Sequence, residues 1–360
     1  MYIYIVKSMM RKRDSIKTAE KANNDSSVNT QRVQWLDSIR GVSFLIVIYV
    51  HCTFFDSMAL RNYLMPVMLT SFFFVSGYLH KDVSFAKFLE QHTRTLYIPS
   101  VILGLFLVFT SWLLPIVSSS TDIKHEILGV IFQYDGYHHG VWFVAALYIY
   151  SILFYLMVRF MGGGVKLLGF GIILYIGNWF YFIFNGPLLP WYLCQFGFSV
   201  YFMILGYLYR RHENQVDLIV YRSKFLIWVA FMTYIVAIYF ANQSYSIMGS
   251  KYIVDCFLIT NLNLYIYVYF NKQYLLNMWC LRFIGCNSLL YFGLHGKILT
   301  LTTFILSRFI NTESISYPEI FQLITVIVVA VLTALPVIII NRYVPQITGK
   351  GYNLYKFKNK

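Results

Sequence analysis

The sequence predicts an all-α fold: a polytopic membrane helical bundle of about ten transmembrane helices with both termini cytoplasmic. Of its 360 residues 58% are hydrophobic, 19% aromatic and only 12% charged, and the mean hydropathy is +0.60, outside the balance of a water-soluble globular domain. Apolar stretches long enough to cross a hydrocarbon core of about 30 Å recur from Leu36 to near Tyr343. Lys and Arg gather at alternate span ends, as basic residues retained on the cytoplasmic side do.

The first span, 36–55, contains "LDSIRGVSFLIVIYVHC" and is apolar except for Asp37, Arg40 and His51. The second is expected at 64–80 and the third at 96–116, where "VILGLFLVFTSWLLPIV" is continuously apolar. That run lacks the alternation of a β-barrel strand. Spans follow at 141–160 and 165–184. Asn185, Gly186, Pro187 and Pro190 then break the chain beside Trp191. The remaining spans are expected at 195–210, 225–241, 252–271, 281–303 and 320–341. With the N-terminus inside, Arg61, Lys124, Lys251 and Arg308 fall outside and Arg40 and Lys297 within spans; the other Lys and Arg lie inside.

This topology accounts for the formal charge of +14 through cytoplasmic loops and anionic lipid headgroups, so no nucleic-acid partner is implied. Three regions result. Residues 1–34 are a polar, basic cytoplasmic segment expected to be mobile, 35–343 the transmembrane domain, and 344–360 a basic cytoplasmic tail. The opening "MYIYIVKSMM" is too short for a signal peptide; it reads as a surface anchor or a consequence of start-codon choice. The five cysteines lack metal-ligand spacing and read as structural thiols. His138, His139 and Asp135 resemble a metal cluster without a third ligand placed by spacing, so no metal is expected.

The chemistry is expected on the first helix. Arg40 and His51 are eleven residues apart, which puts them on one helix face about 16 Å apart along the axis. Asp37, one turn before Arg40, can pair with it. Arg40 could instead snorkel to the interface, and His51 could be a helix-to-helix hydrogen bonder. Ionisable groups within spans are costly and usually face a cavity, and an anion held at Arg40 could extend a long arm to His51.

These residues carry a resemblance. "LDSIRG" followed by "H" resembles the membrane acyltransferase-3 family, multi-pass enzymes that transfer acyl groups, commonly acetyl, to sugars of bacterial envelope polysaccharides. "SFFFVSGYL" (71–79), "RTLYIP" (94–99), "VWFVAALY" (141–148) and "FIGCNSLLYFGLH" (283–295) are similar, in order, to the family's second-, third-, fourth- and late-helix motifs. Many members carry two basic residues after the second helix, whereas here Arg94 alone matches, with Lys87, Gln91 and His92 nearby. No counterpart of the soluble esterase-like domain of larger members is expected.

The resemblance implies an integral membrane O-acyltransferase of the bacterial cytoplasmic membrane. Its donor would be acyl-coenzyme A, acetyl-coenzyme A first, with phosphates near Arg40 and Arg94 and the pantetheine arm along the first helix. Its acceptor would be a polysaccharide or lipid-linked sugar, with polysaccharide-assembly enzymes as candidate partners. His51 would be general base on the acceptor hydroxyl, or alternatively would carry the acyl group as an acyl-imidazole.

Ser76 and Gly77 would let a helix approach the donor channel closely, or serve packing alone. His295, on the helix face of Ser288, is expected at a depth close to that of His51. Trp142 and Trp191 could line the acceptor path, Trp142 by stacking on a sugar or by membrane-belt duty. Asp255 could orient an acceptor or pair with Lys251. A transporter or flippase of a glycan is the competing function, but it would more often show two related halves, and the Arg-to-His spacing has no counterpart near residue 200.

Overall fold

The computed structural model describes residues 33–52, 58–113, 123–134, 141–222, 224–241, 253–275, 278–309 and 318–349, and among these there is no β-strand. Most of the N-terminal segment, the end of the basic tail and the "YDGYHHG" histidines lie outside the described residues. Helices occupy all ten expected stretches: α1 Gln34–His51, α2 Met58–Tyr78, α3 Phe85–His92, α4 Ile98–Leu113, α5 Ile123–Phe132, α6 Trp142–Met161, α7 Val165–Ile183, α8 Phe196–Arg222, α9 Lys224–Ala241, α10 Ile253–Phe270, α11 Trp279–Cys286, α12 Ser288–Phe309 and α13 Pro318–Tyr343. Six described helices are long and apolar enough to cross a membrane, running over Phe85–Trp112, Trp142–Met161, Val165–Ile183, Pro190–Leu218, Ser288–Phe309 and Pro318–Tyr343.

Three expected spans differ in form: the sixth runs on past residue 210 to Arg222, bending at His212. The third begins earlier, because α3 runs through a π-helical turn, Thr93–Tyr97, directly into α4. The ninth is broken at Asn287 into α11 and α12.

Helix α1 is surrounded by protein. Thirteen of its eighteen residues are buried, and its polar groups are answered from other helices. Ser43 Oγ meets Ser71 Oγ at 2.6 Å and the Tyr267 hydroxyl at 2.8 Å. Tyr267 also donates to the Ile39 carbonyl, and Gln322 of α13 donates to the carbonyls of Tyr49 and Cys52. A helix with this many polar side chains cannot face lipid without large cost, so it takes the centre. In contrast, α13 exposes Ile327, Val331, Leu335 and Ile339, one residue per turn, an outward face suited to acyl chains.

Close backbone approach fixes two crossings. A Cβ on Gly41 would strike the Leu281 carbonyl, and one on Gly285 the Asp37 carbonyl, so α1 and α11 touch main chain to main chain. Likewise α2 and α8 cross where Gly77 meets Met203 and Gly206 meets Phe74. Lys272 ties these pairs together: its Nζ lies 2.7 Å from both Glu213 and Asp217 and over the Trp35 ring, while Tyr78 donates to Glu213.

Gly285→Ala is therefore expected to lower the thermal midpoint of the detergent-solubilised protein markedly, since overpacking costs about 1–3 kcal/mol or more. Gly169→Ala, with nothing within 4 Å of its Cβ position, is expected to leave the midpoint unchanged or raise it. Equal midpoints for the two variants would refute the contact.

Candidate functional site

A cavity of about 410 Å³ opens between α1, α2, α3, α6 and α12. Arg40 stands in its wall, with Asp37 Oδ1 3.4 Å from Nη1; the Asp37 side chain is 5% exposed and that of Arg40 24%. The remaining ionisable groups in the lining are Lys81, His80 and His92, and among the described residues no carboxylate lines the space. Ser76, Gln91, Thr95, Ser151 and Ser288 add neutral polar groups. A concave space with cations, hydroxyls and no lining acid suits an anionic molecule. A second cavity, about 500 Å³, is walled mainly by apolar chains of α7, α8 and α10, and its Lys272 is held by Glu213 and Asp217.

At the far end of α1, the exposed His51 ring lies 5.7 Å from that of the buried His295, nearly perpendicular to it. His51 Nδ1 is 2.7 Å from the Val47 carbonyl; His295 Nδ1 is 3.0 Å from that of Tyr291 and 3.1 Å from that of Phe292. Carbonyl oxygens only accept, so both rings carry hydrogen on Nδ1. In neutral form each therefore presents Nε2 as a lone-pair nitrogen, the form a proton acceptor needs.

Aromatic rings in mutual contact link the cavity to this pair. Phe72, Phe143 and Phe292 line the cavity and touch one another at centroid distances of 5.0–5.4 Å. Phe292 also meets Phe44, and Phe44 meets His295, each at 5.1 Å.

The other expected residues divide. Ser76 lines the cavity, and Gly77 makes a close helix approach to Met203, itself a lining residue. Arg94, in the π turn, does not line it and pairs with Glu90 at 3.1 Å. Trp142 packs on Tyr192 at 4.3 Å, and Trp191, whose backbone N–H donates to Gln133, lies beside Tyr97. Trp191 and Tyr192 both adopt left-handed φ, 57° and 56°, a strained conformation for aromatic residues. Asp255 falls on α10, its side chain outside the described residues. Among the described residues no group of three or more His, Cys, Asp or Glu could hold a metal ion.

His80 and Lys81 carry no motif and were not singled out by the sequence; the connection after α2 brings them to the cavity. His80 sits among Phe88, Phe154, Tyr155 and Tyr207. Burial pushes its imidazole down to about 4; His92, Arg210 and Arg211 push the same way and Asp82 opposes.

A family model described as an acyltransferase domain matches residues 33–340. No curated protein and no solved structure matches the chain significantly.

The folded protein holds His80 neutral to about pH 4, whereas the unfolded chain takes up this proton near 6.5. Its contribution to stability is thus full above pH 6.5 and is lost as pH falls towards 4, with a slope of at most about 1.4 kcal/mol per pH unit. His80→Gln should flatten the difference in unfolding midpoint between about pH 7 and about pH 5; an unchanged difference would contradict the assignment.

Proposed function

Since the chain belongs to this acyltransferase family and has, among the described residues, six helices fit to span a membrane, we propose that it is an integral membrane O-acyltransferase of the cell membrane. It moves an acyl group, acetyl in the first instance, from cytoplasmic acyl-coenzyme A to a hydroxyl of a cell-envelope or exported polysaccharide sugar. One observation carries the proposal: α1 holds Arg40 in the wall of a cavity that no carboxylate lines among the described residues and, further along, His51 beside His295.

The donor's phosphates are assigned to the cationic part of the cavity, Arg40 and Lys81. A guanidinium makes charge-assisted, fork-like hydrogen bonds to phosphate oxygens, and Asp37 keeps it oriented. The volume, about 410 Å³, fits a slender arm rather than a whole coenzyme, so the nucleotide stays near the mouth. The arm runs along α1, covering the roughly 16 Å to His51.

His51 then takes the proton of the acceptor hydroxyl on Nε2. The hydroxyl oxygen attacks the thioester carbonyl carbon, the carbon–sulfur bond breaks, and the proton passes from His51 to the thiolate. Its Nδ1–H to Val47 holds the tautomer this requires. Trp142 and Trp191 are assigned to the acceptor side, where aromatic faces suit sugar C–H surfaces.

Arg40→Ala is expected to weaken acyl-coenzyme A binding roughly tenfold or more, the loss of one charge-assisted contact of about 1.5–3 kcal/mol. His51→Ala should keep donor binding and lower transfer about 10²- to 10⁴-fold, the usual worth of a positioned base. Mild-alkali release of small acids from envelope glycans of cells expressing wild type, His51→Ala or neither reads the transfer directly. An acid present with wild type alone identifies the acyl group; no difference among the three refutes the proposal.

A further inference from the structure

We propose that Phe72, Phe143 and Phe292 set which acyl groups the cavity accepts, admitting short uncharged ones and excluding long or charged ones. The inference rests on the acyl-coenzyme A donor proposed above and assigns to three residues a specificity that neither the motifs nor the family match contains.

The three rings come from α2, α6 and α12 and are 5%, 2% and 6% exposed. Phe292 stacks on Phe143 at an interplanar angle of 23° and meets Phe72 edge-on. Each ring is therefore held by two others from different helices. Along α1, Phe44 stands one turn beyond Arg40 on the face leading to His51 and closes the same layer through its contacts with Phe292 and His295. An arm that enters at Arg40 and advances along α1 thus meets this layer before the histidines.

Two consequences follow for the group at its tip. A two-carbon acyl needs little space and can lodge where one ring turns aside, and Phe292 is the ring common to the cavity wall and the histidine surroundings. Each added methylene must displace more of a close-packed aromatic layer, which interiors resist. A carboxylate at the tip, as in a succinyl group, would be desolvated against phenyl rings with no cation in the layer, a large penalty.

The test is competition of acetyl-, octanoyl- and succinyl-coenzyme A for labelled acetyl-coenzyme A on the full chain in lipid nanodiscs. Wild type should bind octanoyl- and succinyl-coenzyme A at least about tenfold more weakly than acetyl-coenzyme A. Phe292→Leu should bring the octanoyl-to-acetyl affinity ratio to within about threefold of unity while the succinyl-to-acetyl ratio stays at the wild-type value; Phe143→Leu serves if the first variant lacks a wild-type unfolding transition. Equal affinities of wild type for acetyl and octanoyl donors, sensitive to Arg40→Ala, would overturn the size limit and leave the donor assignment standing. A variant that shifts all three donors equally would also overturn it. Absence of binding by any acyl-coenzyme A to folded wild type would remove the donor assignment itself.

Discussion

The contact on which the site depends is that between the backbones of α1 and α11. Gly41 lies against Leu281 and Gly285 against the Asp37 carbonyl, and no residue with a Cβ could stand at either position without moving a helix. From this contact two distances run in parallel. His51 is ten residues beyond Gly41 and His295 ten beyond Gly285, each about 15 Å of helical rise. That equality brings the imidazoles level, and it survives the break at Asn287 because α12 begins at the next residue. Glycines remote from the histidines thus decide whether they meet.

Electrostatics separate the two cavities in a way geometry does not. Lys272 satisfies two carboxylates, a tyrosine and a tryptophan face, so the charge there holds helices together. Around the first cavity, Arg40 is oriented by one carboxylate and Lys81 is exposed to solvent, with His80 held neutral by its aromatic surroundings. Arg40 and Lys81 present their positive charge to the cavity. A cation neutralised twice over loses most of its attraction for an anion, which is why the larger cavity is the weaker candidate.

The helices were legible because continuous apolar runs are the strongest signal a membrane chain carries, and Arg40, Asp37 and His51 because ionisable groups interrupt such a run. Legibility failed where position depends on contacts between distant segments. Gly77 reads as a close helix approach beside the channel or as packing alone, and its partner in the approach, the cavity-lining Met203, is not marked by the sequence. Arg94 is placed by the resemblance of "RTLYIP" alone, and its position in a π turn, paired with Glu90, depends on backbone geometry that the motif does not carry. The aromatic layer was hidden by abundance. Phe72, Phe143 and Phe292 each lie in a stretch that carries the resemblance, yet among 32 Phe residues nothing in the sequence says that these three converge from separate helices.

The central helix shows why hydropathy and function run opposite ways in such a chain. Helix α1 is absent from the six most span-like helices, although it is among the most buried. Asp37, Ser38, Arg40, Ser43 and His51 lower its apolar character, and each would be costly against lipid. Surrounding α1 with α2, α10, α11, α12 and α13 removes that cost through Ser71, Tyr267, Leu275 and Gln322. Helices such as α13 can then be almost purely apolar, since their task is to separate that centre from acyl chains. A span interrupted by polar side chains is thus the one that its neighbours enclose.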